Sequence, residues 1–158
     1  MKYVIRKAYA SDIPAMVALS REKRRNYEKV QPLFWRHAAG AEEAQAKWFN
    51  KLMAHEDHIL LIAESEAGID GFVIGKIIKA PEVYDPGGLT LMVDDFCVSS
   101  PILWRSAGSK LLEELKRMAK SKCAAQIVAV CGAQDEPKKL FLKAAGLTVA
   151  SEWYVSEI

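Results

Sequence analysis

No apolar run in this chain of 158 residues approaches the roughly 20 residues needed to span a bilayer, so no membrane partner is expected. The opening stretch "MKYVIRKAYASD" alternates polar and apolar residues and lacks a continuous apolar centre, which argues against a secretory signal. There are three cysteines, Cys97, Cys123 and Cys131. They cannot all pair within the chain and their spacing fits no zinc or redox pattern, so reduced thiols in a cytoplasmic protein are expected. His55 and His58 lie three apart without nearby cysteines or spaced acids, and no metal site is expected. A net charge of +2 is too small to imply nucleic acid or an anionic surface as partner. Repeats and low-complexity stretches are absent as well.

What remains is the composition of a soluble globular protein, half apolar and about a quarter charged. Its length suits one domain, residues 1–158, burying about 70% of the surface of its unfolded chain. "YVIRKA" has strand character. Ser11 and Asp12 offer an N-cap to a helix with Pro14 in its first turn and Ile13, Met16 and Val17 at helical spacing. That helix ends in a basic run, Arg21 to Lys29, which reads as a solvated face whose charges suit a helix C-terminus. "QPLFWRHAAG" breaks the helix and exposes aromatics in a loop. A second helix follows, with Ala41, Ala44, Trp48, Phe49, Leu52 and Met53 on one side.

Two strands come next, His58 to Ser65 and Gly71 to Ala80, and the "PEVYDPGG" turn leads to a third, Leu89 to Val98, with apolar ends that suggest burial on both faces. A helix burying Leu111, Leu112, Leu115, Met118 and Ala119 precedes the buried strand "AQIVAVC". A short helix with Gly146 as its C-cap and a final strand in "LTVASEWYVSEI" close the chain. The fold class is therefore α/β, an α+β mixed sheet with helices on both faces.

The order of elements, the "V-x-x-P" at Val98 to Pro101 and the "GSKLLEEL" that follows it resemble the GNAT acyltransferase superfamily over essentially the whole chain. The family's Q/R-x-x-G-x-G/A signature falls on Leu103 to Gly108, where only Gly108 matches. The resemblance implies a central sheet splayed between the strands at Leu89 to Val98 and Ala125 to Cys131, with acetyl-CoA as co-substrate and no metal. It implies that the pantetheine arm bonds to the backbone of Phe96, Cys97 and Val98. The pyrophosphate would meet the helix start at Arg105, Ser106, Ala107, Gly108, Ser109 and Lys110. Backbone amides do that binding, so small side chains matter more than particular groups. Serine at 106 in place of glycine costs about 1 kcal/mol only if the turn needs a positive φ there.

Acyl transfer to an amine needs a group to take the amine's proton. Asp94 and Asp95 stand in the middle of an otherwise apolar strand, and one of them should face the reacting centre. A β-bulge there would shift the phase, so the choice between them stays open. Backbone N–H groups near Phe96 to Val98 would polarise the thioester carbonyl. The tyrosine that many relatives use to protonate the departing thiolate is replaced by Leu142, with Tyr154 or Tyr84 as substitutes. Cys97 reads as a buried inert thiol.

Acceptor-pocket segments of the superfamily correspond here to an aromatic-rich wall with little negative charge, including Trp35, Tyr84 and Tyr154. It suits a small or partly apolar amine, such as an amino acid or peptide end. The sequence thus points to an acetyl-CoA-dependent N-acetyltransferase in which a small-molecule or peptide amine attacks the thioester directly. A non-catalytic acyl-CoA-binding or protein-interaction module on the same fold is the alternative. Exposed strands and aromatics are compatible with a homodimer under either reading.

Overall fold

The computed structural model describes residues 2–158. Five strands form one sheet in the order β1 (Val4–Lys7), β2 (His58–Ser65), β3 (Gly68–Ile78), β4 (Leu89–Val98) and β5 (Ala124–Ala129). All neighbours are antiparallel except β4 and β5, which run parallel. The helices are α1 (Ile13–Val30), α2 (Pro32–Trp35), α3 (Ala41–Met53), α4 (Ala107–Ser121) and α5 (Glu136–Ala144).

Helices cover both faces of the sheet, and this explains the unbroken apolar run in β2. Ile59, Leu61 and Ala63 join Leu111, Leu115 and Ala119 of α4 in one core. Leu60 and Ile62 point the other way, into a second core with Met16, Val17, Phe49 and Leu52. The sheet and α4 approach closely at Gly75, where an added Cβ would lie 2.7 Å from Leu91 Cδ1 and 2.9 Å from Leu115 Cδ1.

A bulge interrupts β4. Val73 pairs with Phe96 and Gly75 with Val93, so Ile74 alone stands opposite both Asp94 and Asp95. The extra residue puts Val93 and Phe96 in the same core although they are three apart.

Several sequence expectations are corrected. The final strand does not form: residues 147–158 have no regular structure, and Val149, Trp153 and Tyr154 are exposed. α5 does end as expected, with Gly146 at φ 84°. Leu147 N–H donates to Leu142 O at 3.0 Å and Gly146 N–H to Lys143 O at 3.0 Å, a Schellman closure. With the final strand absent, β5 is the sheet's last strand, and it is half-exposed rather than buried. "QPLFWR" is not a plain loop, because Pro32–Trp35 makes a helical turn and Trp35 packs edge-on against Tyr27 at 5.0 Å. On α3, Phe49 and Leu52 are buried whereas Trp48 and Ala44 are exposed.

Asp12 does not cap α1 with its side chain. Its carboxylate turns back, accepting from Arg6 Nη1 at 2.8 Å, from Arg6 Nη2 at 3.0 Å and from the Tyr9 N–H at 2.7 Å. The Arg6 guanidinium holds the Asp12 carboxyl below its ordinary pKa, against the opposing effect of burial. A depressed pKa contributes stability above the unfolded carboxyl's pKa of about 4 and loses it as pH falls through the folded value. Asp12→Asn is therefore expected to cost about 2 kcal/mol at neutral pH, with the gap to wild type closing below about pH 4. Urea unfolding across a pH series checks this; a gap independent of pH would overturn it.

Candidate active site

β4 and β5 part company at the bulge. The last bond between their paths runs from Val130 N–H to Val93 O at 3.3 Å. Beyond it β4 continues to Val98, while the other chain leaves through Cys131 and Gly132 towards α5. Ser99 N–H donates to Asp70 O at 2.8 Å, on the β3 side. By alternation Cys97 also turns its amide groups to β3, and Phe96 and Val98 turn theirs to the open edge. Of the three residues expected to bind pantetheine through their backbone, two thus face the gap.

A cleft of about 330 Å³ opens at this point, and Asp94 and Asp95 both line it. The bulge gives them different surroundings. Asp95 is committed: Lys23 from α1 pairs with its Oδ1 and Gln45 Nε2 from α3 donates to its Oδ2 at 3.4 Å. Burial alone would lower the Lys23 pKa, but the acidic groups around it, Cys97 and Asp95 ahead of Asp94, outweigh burial and raise it. Asp94 is exposed and makes no hydrogen bond or ion pair among the described residues, although it feels the Lys23 charge. Lys23 and its neighbour Arg24 thus belong to the cleft, which corrects the reading of the whole basic run as a solvated face.

Lys138 is the residue that sequence reasoning missed. It lies on the first turn of α5, 2% exposed, with Nζ donating to Phe96 O at 3.2 Å on the open edge. The same ammonium lies 5.8 Å from the ring centroids of Phe96 and Trp104. Burial, and then the Lys23 charge, push the Lys138 pKa down. A signal was available, since Lys138, Phe141, Leu142 and Ala145 fall at i, i+3, i+4 and i+7, so the lysine sits on the buried stripe. Leu142, which stands at the position where the sequence resemblance led one to look for a tyrosine, is one turn further along that stripe. Met16, Ser20, Lys23 and Tyr27 form the matching stripe on α1.

Trp35 lines the cleft with Tyr27 and Phe34. Tyr27 is buried; its hydroxyl donates to Asp135 Oδ2 at 2.7 Å and accepts from Gly132 N–H at 3.2 Å. Burial, then the bond to Asp135, raise the Tyr27 pKa, so the phenol stays protonated. Gly132 has to be glycine, because an added Cβ would meet the Tyr27 ring at 2.8 Å. Tyr84 and Tyr154 do not line the cleft: both are exposed, and the Tyr154 hydroxyl donates to Glu152 at 2.7 Å. Neither stands in the cleft, where a substitute for the missing acid or an acceptor wall would have to be. The Cys97 thiol, pushed up by burial, lies inside the core.

The turn before α4 keeps its shape without the signature glycine. Ser106 has φ −119° and ψ −79°, so no left-handed conformation is asked of it. Ala107, Gly108 and Ser109 occupy the first turn of the helix, where amide N–H groups have no intrahelical acceptor. Arg105 and Lys110 are exposed beside them. Gly108 has a structural reason of its own: a Cβ there would lie 2.8 Å from the Trp104 ring. Trp104 in turn stacks on Phe141 at 5.0 Å and meets Phe96 edge-on at 4.9 Å, which ties this turn to the cleft at Lys138.

No cluster of three His, Cys, Asp or Glu side chains suited to a metal occurs among the described residues, and among them no helix is long and apolar enough to cross a membrane. No family model and no curated protein matches the chain. Solved structures do. A Bacillus halodurans protein superposes with a TM-score of 0.85 at 16% identity, over 98% of this chain and 99% of that one. A predicted acetyltransferase with acetyl-CoA from Clostridium acetobutylicum matches at TM-score 0.75 and 18% identity, over 99% and 96%. The glucosamine-6-phosphate N-acetyltransferase of Arabidopsis thaliana matches at 0.70 and 18%, over 99% of each chain. At such identities the likeness shows the fold, which the Arabidopsis acetyltransferase and the predicted acetyltransferase share.

Proposed function

We propose that this chain, which has the GNAT acetyltransferase fold, is an acetyl-CoA-dependent N-acetyltransferase acting on a small-molecule or peptide amine. The observation that carries the reading is the gap between β4 and β5, with a carboxylate, an open backbone edge and a buried ammonium gathered at its mouth. Solved relatives of this fold that are acetyltransferases, one of them holding acetyl-CoA, support it.

The residues present fit acetyl-CoA. Phe96 and Val98 offer outward amide groups to the pantetheine arm, as an edge strand does to an added one. The α4 start offers the amides of Ala107, Gly108 and Ser109 to the pyrophosphate, with Arg105 and Lys110 adding charge. Asp94 takes the proton from the attacking amine, directly or through water. Asp95, paired with Lys23 and Gln45, fixes the bulge that aims Asp94. An outward N–H of Phe96 or Val98 polarises the thioester oxygen. As the C–N bond forms and the C–S bond breaks, the Lys138 ammonium faces the sulfur that leaves as thiolate and gives it a proton.

Calorimetric titration with acetyl-CoA, beside acetyl-pantetheine, tests the reading. Micromolar binding that requires the pyrophosphate is expected. No binding at high concentration would overturn it.

A further inference from the structure

The cleft holds more positive than negative charge, which an acceptor for plain amines has no use for. Lys23, Arg24, Arg36 and Lys138 line it against Asp94 and Asp95. Lys23 is answered by Asp95, and the Lys138 ammonium, already assigned to the leaving sulfur, donates to Phe96 O. Arg24 and Arg36 have no carboxylate partner at ion-pair distance among the described residues, although Arg24 is half-buried. The side-chain bond of Arg24 goes to the neutral amide oxygen of Gln45. Arg24 also lines a second cavity, of about 340 Å³, with Arg21, Arg25 and Glu42.

A half-buried arginine normally meets a carboxylate or phosphate, whose two oxygens match its planar fork. Here the protein supplies none. Asp94 stands in the same cleft without a hydrogen-bonded cation, and the Tyr27, Phe34 and Trp35 rings lie along its wall. The same cleft therefore offers a carboxylate suited to an amine and a guanidinium suited to an anion.

Resting on the acetyltransferase reading, we infer that the acceptor is an amine that also carries a carboxylate or a phosphate ester, held by Arg24 with Arg36 at the mouth. Polyamines and aminoglycosides are excluded, because their further positive charges would face the uncompensated guanidinium. The relay from Arg24 through Gln45 to Asp95 also ties the anion site to the bulge that carries Asp94.

The test is binding, measured without turnover. The protein is titrated calorimetrically with matched pairs: L-phenylalanine against L-phenylalaninamide, glycylglycine against its amide, and O-phosphoethanolamine against ethanolamine. At least one member that bears the carboxylate or phosphate is expected to bind ten- to a hundredfold more tightly than its partner lacking that group. The carboxylate pairs and the phosphate pair separate the two sources of the anion. Arg24→Gln should abolish the preference and leave acetyl-CoA affinity unchanged, whereas Arg24→Lys should keep part of it, having charge without the fork. Equal affinities within every pair would overturn the inference. So would an Arg24→Gln protein that keeps the preference, or one that loses acetyl-CoA instead, since the arginine would then serve a CoA phosphate. An anion preference in a protein that binds no acetyl-CoA would support this site and sink the acetyltransferase reading, so the two failures are distinct.

Discussion

Asp94→Asn is expected to lower acetyl transfer by about 10²- to 10³-fold at neutral pH while leaving acetyl-CoA affinity and folding stability unchanged. The side chain is exposed and makes no hydrogen bond or ion pair among the described residues, so asparagine disturbs no packing. What it removes is the group that takes the proton from an ammonium whose pKa lies near ~10. The variant must wait for amine already neutral in solution. Its rate should climb about tenfold per pH unit towards the amine pKa, narrowing the gap to wild type at alkaline pH. Asp95→Asn behaves differently. It strands the half-buried Lys23 ammonium, and a loss of about 1–3 kcal/mol of stability is expected, partial solvent screening included. Steady-state rates from pH 6 to 10, with urea unfolding of both variants, separate the roles. Unchanged turnover in Asp94→Asn would remove it as the base.

Lys138→Met should reduce turnover by about a hundredfold and yet stabilise the fold. Methionine fills nearly the same volume without charge, in a site that is 2% exposed and lined by Phe96 and Trp104. The lysine pKa is depressed by burial, so the unfolded chain binds more protons than the native one between the folded value and about 10.4. Wild-type stability rises with pH through that window. The stabilisation gained by methionine, on the order of 1 kcal/mol, is thus fullest below it and fades towards pH 10.4. A lysine that merely holds Phe96 O would give the opposite pair of results, lower stability and normal turnover per folded molecule. Comparing kcat with urea midpoints at pH 7 and pH 10 decides between them.

How far the sequence could be read follows from which signals are local. The apolar run Ile59 to Ala63 announced a strand, and only the structure showed that it is covered on both faces, by the two cores. Gly146 announced the end of α5 because only a residue at ease with positive φ closes a Schellman motif. The final strand was misjudged for a different reason. "LTVASEWYVSEI" has strand composition, but a strand exists only by pairing, and no neighbour receives these residues. Lys138 and Lys23 went unnoticed because a lysine on an apolar helical stripe usually lies with its charge in water.

The sequence by itself determined the layered α/β architecture, the pair of acids within an apolar strand and the small-residue start of α4. Each depends on residues that are neighbours in the chain, through periodicity, capping or turn chemistry. Only the tertiary structure decided that Asp94 stays free while Asp95 is bound, because the choice rests on one extra residue in β4 and on Lys23 and Gln45 arriving from two helices. It alone brought Lys138 to the backbone of Phe96, 42 residues away, and left Arg24 facing a cleft without a counter-ion. Charges separated so widely along the chain find their partners only when the sheet and its helices have closed around them.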